Sequence, residues 1–111
     1  MKQATSRRST RLSDLIMREI AQMLVEDVTD PRLELVTISG VALNTDLSVA
    51  KVLYTLTGDE KRQAQAAAGL EQAKGYMRGL LGHRLKIKFV PELRFARDTF
   101  LEDMVYAHPD A

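Results

Sequence analysis

The chain has 111 residues, enough for one small domain with a single modest core. Sixteen Lys and Arg stand against 15 Asp and Glu, with no cysteine, so a disulfide framework and any thiolate nucleophile or thiolate metal site are excluded. No apolar run reaches the length of a membrane span, and a formal charge of +1 excludes a chain that is basic all over.

The first eight residues read as a flexible basic arm. Lys2, Arg7, Arg8 and, just beyond, Arg11 stand among Ser and Thr without an acid, a transit-peptide composition that lacks the apolar section of a secretory signal. A first helix is expected from near Ser9 or Thr10, either of which can accept the exposed N–H groups of a first turn. Leu12, Ile16, Ile20, Met23 and Leu24 recur at three- and four-residue spacing and form its core face. Asp30-Pro31 ends it, because proline disfavours helical geometry in the residue before it.

Leu35 to Leu43 is rich in β-branched residues, and Gly40 shifts its apolar alternation by one, as a β-bulge does. Asn44 to Ser48 supplies turn residues, and Ala50, Val52, Tyr54 and Leu56 then alternate with outward-facing neighbours. The short connection predicts an antiparallel hairpin. After Gly58-Asp59, a second helix runs from about Glu60 through an alanine-rich stretch. It contains Gly75 and Gly79, each costing about 1 kcal/mol relative to alanine in a helix interior. A break is expected at Gly75, and Gly82 is expected as the C-cap. Leu85, Ile87 and Phe89 alternate with Arg84, Lys86 and Lys88, predicting a third strand with one apolar and one cationic face. Pro91 bends that strand, which restarts at Leu93-Arg94-Phe95, and 99–111 reads as a short fraying tail. Helix, two strands, broken helix and strand make an α+β sandwich with helices on one side of the sheet.

Charge is unevenly spread. From Lys74 to Arg97 the cations Lys74, Arg78, Arg84, Lys86, Lys88, Arg94 and Arg97 meet only Glu92. Such a surface attracts nucleic-acid phosphates without reading sequence, and an anionic protein or membrane surface satisfies it too. Tyr76 is the aromatic placed to stack on a base. The histidines, His83 and His108, fall in no ligand-like cluster, no serine occupies a nucleophile turn, and no glycine-rich loop joins a strand to a helix. No catalytic site, metal or cofactor is expected.

Four blocks in order carry a family resemblance: Asp30-Pro31-Arg32-Leu33 leading into Val36 to Val41, Asp46 to Val52, Ala73-Lys74-Gly75 with Tyr76-Met77-Arg78, and Pro91 to Phe95 with Asp98. Over roughly residues 8–98 the sequence resembles bacterial ribosome-binding factor A. The resemblance implies a KH-like domain of type II over 9–98, in the order α-β-β-α-kink-α-β, with a three-stranded sheet and helices packed on one face. It implies an Ala-x-Gly kink at Ala73, Lys74 and Gly75 in place of the Gly-x-x-Gly loop of ordinary KH domains. Gly79-Leu80-Leu81-Gly82 has that spelling, but both middle residues are leucines at core-compatible positions. Many relatives continue beyond Asp98 with a longer polar tail.

The function so implied is a cytoplasmic, monomeric, non-enzymatic assembly factor. It binds the immature small (30S) ribosomal subunit and its 16S rRNA and assists late rRNA maturation, including 5′-end processing and growth in the cold. The expected RNA contacts are Arg7, Arg8 and Arg11 from the arm, then Ala73, Lys74, Gly75 and Arg78 at the kink. Arg84, Lys86 and Lys88 follow on the cationic strand. No membrane or small-molecule substrate is expected. A general single-stranded RNA-binding KH-like protein is the alternative. Were the helices to cover the apolar side, alternation would set Lys86 and Lys88 across the sheet from the first helix, which leaves open whether the basic residues form one patch or two.

Overall fold

The computed structural model describes residues 6–106; residues 1–5 of the expected arm and 107–111 of the tail, with His108, lie outside the described residues. In order come α1 (Arg7–Glu26), a 3-10 turn (Pro31–Leu33), β1 (Thr37–Leu43), β2 (Val49–Thr55), α2 (Glu60–Leu85), β3 (Glu92–Arg97) and α3 (Thr99–Tyr106).

Helix α1 starts earlier than expected. Ser6 is its N-cap, accepting the Ser9 N–H at 3.2 Å, while the buried Ser9 returns its hydroxyl to the Ser6 carbonyl at 2.8 Å. Arg7 and Arg8 therefore stand on the first helical turn and not on an arm. Ile16, Ile20 and Met23 of the expected stripe are fully buried, with Leu12 and Leu24 packed beside them.

The hairpin forms as expected. β1 and β2 are antiparallel, and the register slips between Ile38 and Gly40, so the bulge falls where the alternation breaks. Ala50, Val52, Tyr54 and Leu56 are buried. β3 runs parallel to β2, giving the order β1-β2-β3, with α1 over β1 and α2 over β3.

Four expectations fail from Gly75 onward. Helix α2 is a single helix of 26 residues, helical through Ala73, Lys74 and Gly75, rather than two helices about a break. Gly82 lies inside it, and the C-cap is Lys86, in the left-handed region at φ 54°. The strand expected from Arg84 to Phe89 does not form: Arg84 and Leu85 end α2, and 86–91 is a loop before β3. Three alternating apolar residues are too short a pattern to decide between strand and loop. Last, residues 99–106 form α3 where a fraying tail was expected, and the Asp98 carboxylate accepts the Leu101 N–H at 3.0 Å to start it.

Candidate nucleic-acid interface

The 86–91 loop is held firmly against α2. A Cβ at Gly82 would lie 2.7 Å from Val90 Cγ2, so only glycine lets Val90 seat there. One turn earlier, Arg78 donates from Nη2 to the Val90 carbonyl at 2.8 Å and from Nε to the Pro91 carbonyl at 3.2 Å. Pro91 itself is buried. This grip pushes Lys88 and Phe89 to the crest of the loop. The Phe89 side chain is 83% exposed, and Lys88 Nζ sits 5.5 Å from the centre of its ring.

Two clefts meet at that crest. One, of about 490 Å³, lies between Arg8, Arg11, Leu12 and Leu15 of α1, Asp46 and Leu47 of the hairpin turn, and Ile87-Lys88-Phe89. The other, about 480 Å³ and shallower, is lined by Gly75, Arg78 and Gly79 of α2 with Lys88, Phe89 and Val90. A Cβ built on Gly75 or Gly79 meets nothing within 4 Å, so neither glycine is required by packing inside the protein. Asp46 is the carboxylate of the first cleft, and it is committed to its own turn. The Ser48 hydroxyl and N–H donate to it at 2.6 and 3.1 Å, holding its carboxyl below the usual carboxylate range.

The expected contact residues separate into two groups. Arg7, Arg8 and Arg11 are exposed, and Arg8 and Arg11 line the first cleft. Lys88 lies at the meeting of the two clefts, Gly75 lines the second, and Lys86 is exposed at the helix end. Among the described residues, no carboxylate pairs with Arg8, Arg11 or Lys88. Lys88 thus joins the α1 arginines and the α2 glycines in one surface, not two, because it rides on a loop rather than on the far face of a strand. The others make contacts within the chain. Arg84 reaches Asp27 at 2.7 Å and Glu19 at 3.6 Å, stapling α2 to α1, and the Asp27 hydrogen bond raises its pKa. Lys74 pairs with Glu71, and Ala73 packs against the core. Arg78 serves both ends, strut of the loop and wall of the cleft.

Sequence reasoning missed Phe89, which it assigned to a buried strand face. The available signal was an aromatic set directly after Lys86-Ile87-Lys88. Tyr76 is 56% exposed but lines neither cleft.

Two of the blocks that carry the family resemblance turn out to be clasps. Asp30 accepts the Arg32 N–H at 2.9 Å and pairs with its guanidinium at 2.7 Å; Arg32 reaches Gln72 on α2 at 2.5 Å. Leu33 is buried against Gly69, where a Cβ would lie 3.0 Å from Leu33 Cδ2. Ser39, in the bulge, donates its hydroxyl to Asp98 at 2.7 Å and ties β1 to the end of β3. Among the described residues there is no group of three or more metal-ligating side chains, and no helix is long and apolar enough to cross a membrane.

The family model for ribosome-binding factor A matches residues 8–108. Ribosome-binding factor A of Halothermothrix orenii is 39% identical over 95 residues, 86% of this chain and 78% of the relative. That of Cupriavidus necator is 42% identical over 104 residues, 94% of this chain and 84% of the relative. Among solved structures, ribosome-binding factor A from Thermus thermophilus superposes with a TM-score of 0.70 at 27% identity, covering 80% of this chain and 94% of that one. A Thermus thermophilus model fitted into the cryo-EM map of a complex of ribosome-binding factor A with the 30S subunit gives 0.60 at 26% identity, over 84% and 93% of the two chains.

Proposed function

The chain belongs to the ribosome-binding factor A family, and from that premise we propose that it binds the immature small ribosomal subunit as a non-enzymatic assembly factor. The observation that carries the reading is the joined cationic surface: Arg8, Arg11, Arg78 and Lys88 rim two adjoining clefts with one, already committed, carboxylate among their lining residues. That arrangement suits the phosphates of 16S rRNA, and the relative fitted into a 30S complex supports the choice of partner. In the cell it acts in the cytoplasm as a monomer, on late particles whose 16S rRNA 5′ end is still unprocessed. It matters most in the cold, when misfolded RNA rearranges slowly.

Sedimentation of the purified chain with small subunits tests this across a salt series. Wild type co-migrates with free small subunits and is released as salt rises. Arg8→Gln with Arg11→Gln lowers the slope of log affinity against log salt by about 1.5, since each phosphate that an arginine neutralises contributes roughly 0.7–0.9, and the melting curve is unchanged. Affinity that stays flat with salt, or migration with free RNA only, overturns the reading; the latter result selects a general single-stranded RNA binder.

A further inference from the structure

We propose that Phe89 is a stacking platform for one unpaired RNA base, with Arg8, Arg11 and Lys88 holding the flanking phosphates. The inference rests on the reading above and names the feature of the RNA that the surface takes.

A phenylalanine left 83% exposed forgoes the burial that ordinarily places this residue in a core. Its exposure is not the result of a loose loop, since Val90 is seated on Gly82 and Arg78 holds the next two carbonyls. The chain therefore fixes the ring in water, at the place where two clefts meet. Lys88 lies over the ring and strengthens its hold on one side, leaving the exposed remainder to a ligand.

The rim decides the ligand's chemistry. Leu12, Leu15, Leu47 and Ile87 give the first cleft an apolar lining beside the ring. Arg8, Arg11, Arg78 and Lys88 nevertheless rim the two clefts, and cations around an apolar lining suit a base with its phosphates better than an apolar protein face. An exposed ring over an apolar lining, set between cations, is the complement of one base between phosphates. A paired base offers no free face, so the target is a nucleotide out of helical stack: a loop, a bulge or an unformed helix end. Stacking tolerates any base because every base has a π-face, so discrimination is for strand state and not for sequence.

The chain contains no tryptophan, so Phe89→Trp gives a single reporter at the site. The test uses the full chain with purified immature small subunits, and in parallel a short unstructured RNA oligomer and its duplex. Expected results are that Phe89→Trp binds within twofold of wild type and is quenched by subunits and by the oligomer but not by the duplex. Phe89→Ala weakens binding by about 5- to 150-fold, the range for removing one stacked base, with an unchanged salt slope and melting temperature. Phe89→Tyr restores affinity and Phe89→Leu does not. Full rescue by leucine, or an alanine variant within twofold of wild type, overturns the proposal. Were Phe89→Trp to bind the oligomer with quenching but neither it nor wild type to bind the subunit, stacking would stand and the ribosomal reading would fall.

Discussion

Replacing Gly82 by alanine sets two effects of opposite sign against each other. Alanine in a helix interior gains about 1 kcal/mol over glycine. The added Cβ, however, would stand 2.7 Å from Val90 Cγ2, well inside the 3.4 Å where ordinary contact begins. Val90 is β-branched and stiff at χ1, its carbonyl is gripped by Arg78, and a buried proline follows, so it cannot yield cheaply. Overpacking of this kind costs about 1–3 kcal/mol, and Gly82→Ala is therefore expected to be net destabilising by roughly 1 kcal/mol. Gly79→Ala is the control: the same helix, the same gain, and nothing within 4 Å of the new methyl. It should stabilise by about 0.5–1 kcal/mol. Urea unfolding followed by far-UV circular dichroism reads both, and Val90→Ala in the Gly82→Ala background should recover at least about 1 kcal/mol of coupling. If Gly82→Ala raised the midpoint as much as Gly79→Ala does, the loop would not be seated on Gly82 as described.

Arg84→Met removes the staple to Asp27 and Glu19; the urea midpoint should fall, while the affinity of the folded protein for small subunits and its salt slope should not change. A reduced slope would instead put Arg84 on the RNA surface. Three carboxylates set an acid limit. Asp30 is held below 3.8 mainly by the Arg32 side chain, Asp46 by the Ser48 hydroxyl, and Asp98 by the Leu101 N–H and then the Ser39 hydroxyl. Because the folded values lie below the unfolded one, their contribution is complete above about pH 5 and is lost as pH falls through the region of 3.8 and below. Urea midpoints from about pH 3 to 7 should show that acid limb, and Asp98→Asn, which retains an acceptor for Leu101, should make it shallower.

What could be read in advance was periodic. The α1 stripe, the β2 alternation and the Gly40 bulge follow from side chains that must point one way, and all three stand in the fold. What could not be read depended on distant partners. Gly82 looks like a terminator in sequence, yet it is an interior glycine that admits Val90, and Lys86 takes the left-handed cap instead. Leu85, Ile87 and Phe89 alternate like a strand, but the last of them is almost wholly exposed. Arg84 counts as one more cation until its carboxylate 57 residues away is found. The family motif was informative for a similar reason: Asp30, Arg32 and Asp98 hold elements together, and only the fold tells such residues from those that face a partner.

The parallel pairing of β3 with β2 has a consequence for the order in which the chain folds. The hairpin closes across residues 44–48, whereas β3 must return across 56–91. Before α2 forms, that longer closure costs about 2 kcal/mol more chain entropy, so the hairpin is expected to form first and β3 to dock last. The 86–91 loop takes its shape only when Val90 and Pro91 are drawn in beside α2 by that docking. Native-state hydrogen exchange should accordingly find Arg94 and Phe95 opening together with the loop and at lower free energy than the β1–β2 ladder. Binding competence is then the final product of folding: a chain that still lacks its third strand has a hairpin and helices but no crest to offer a partner.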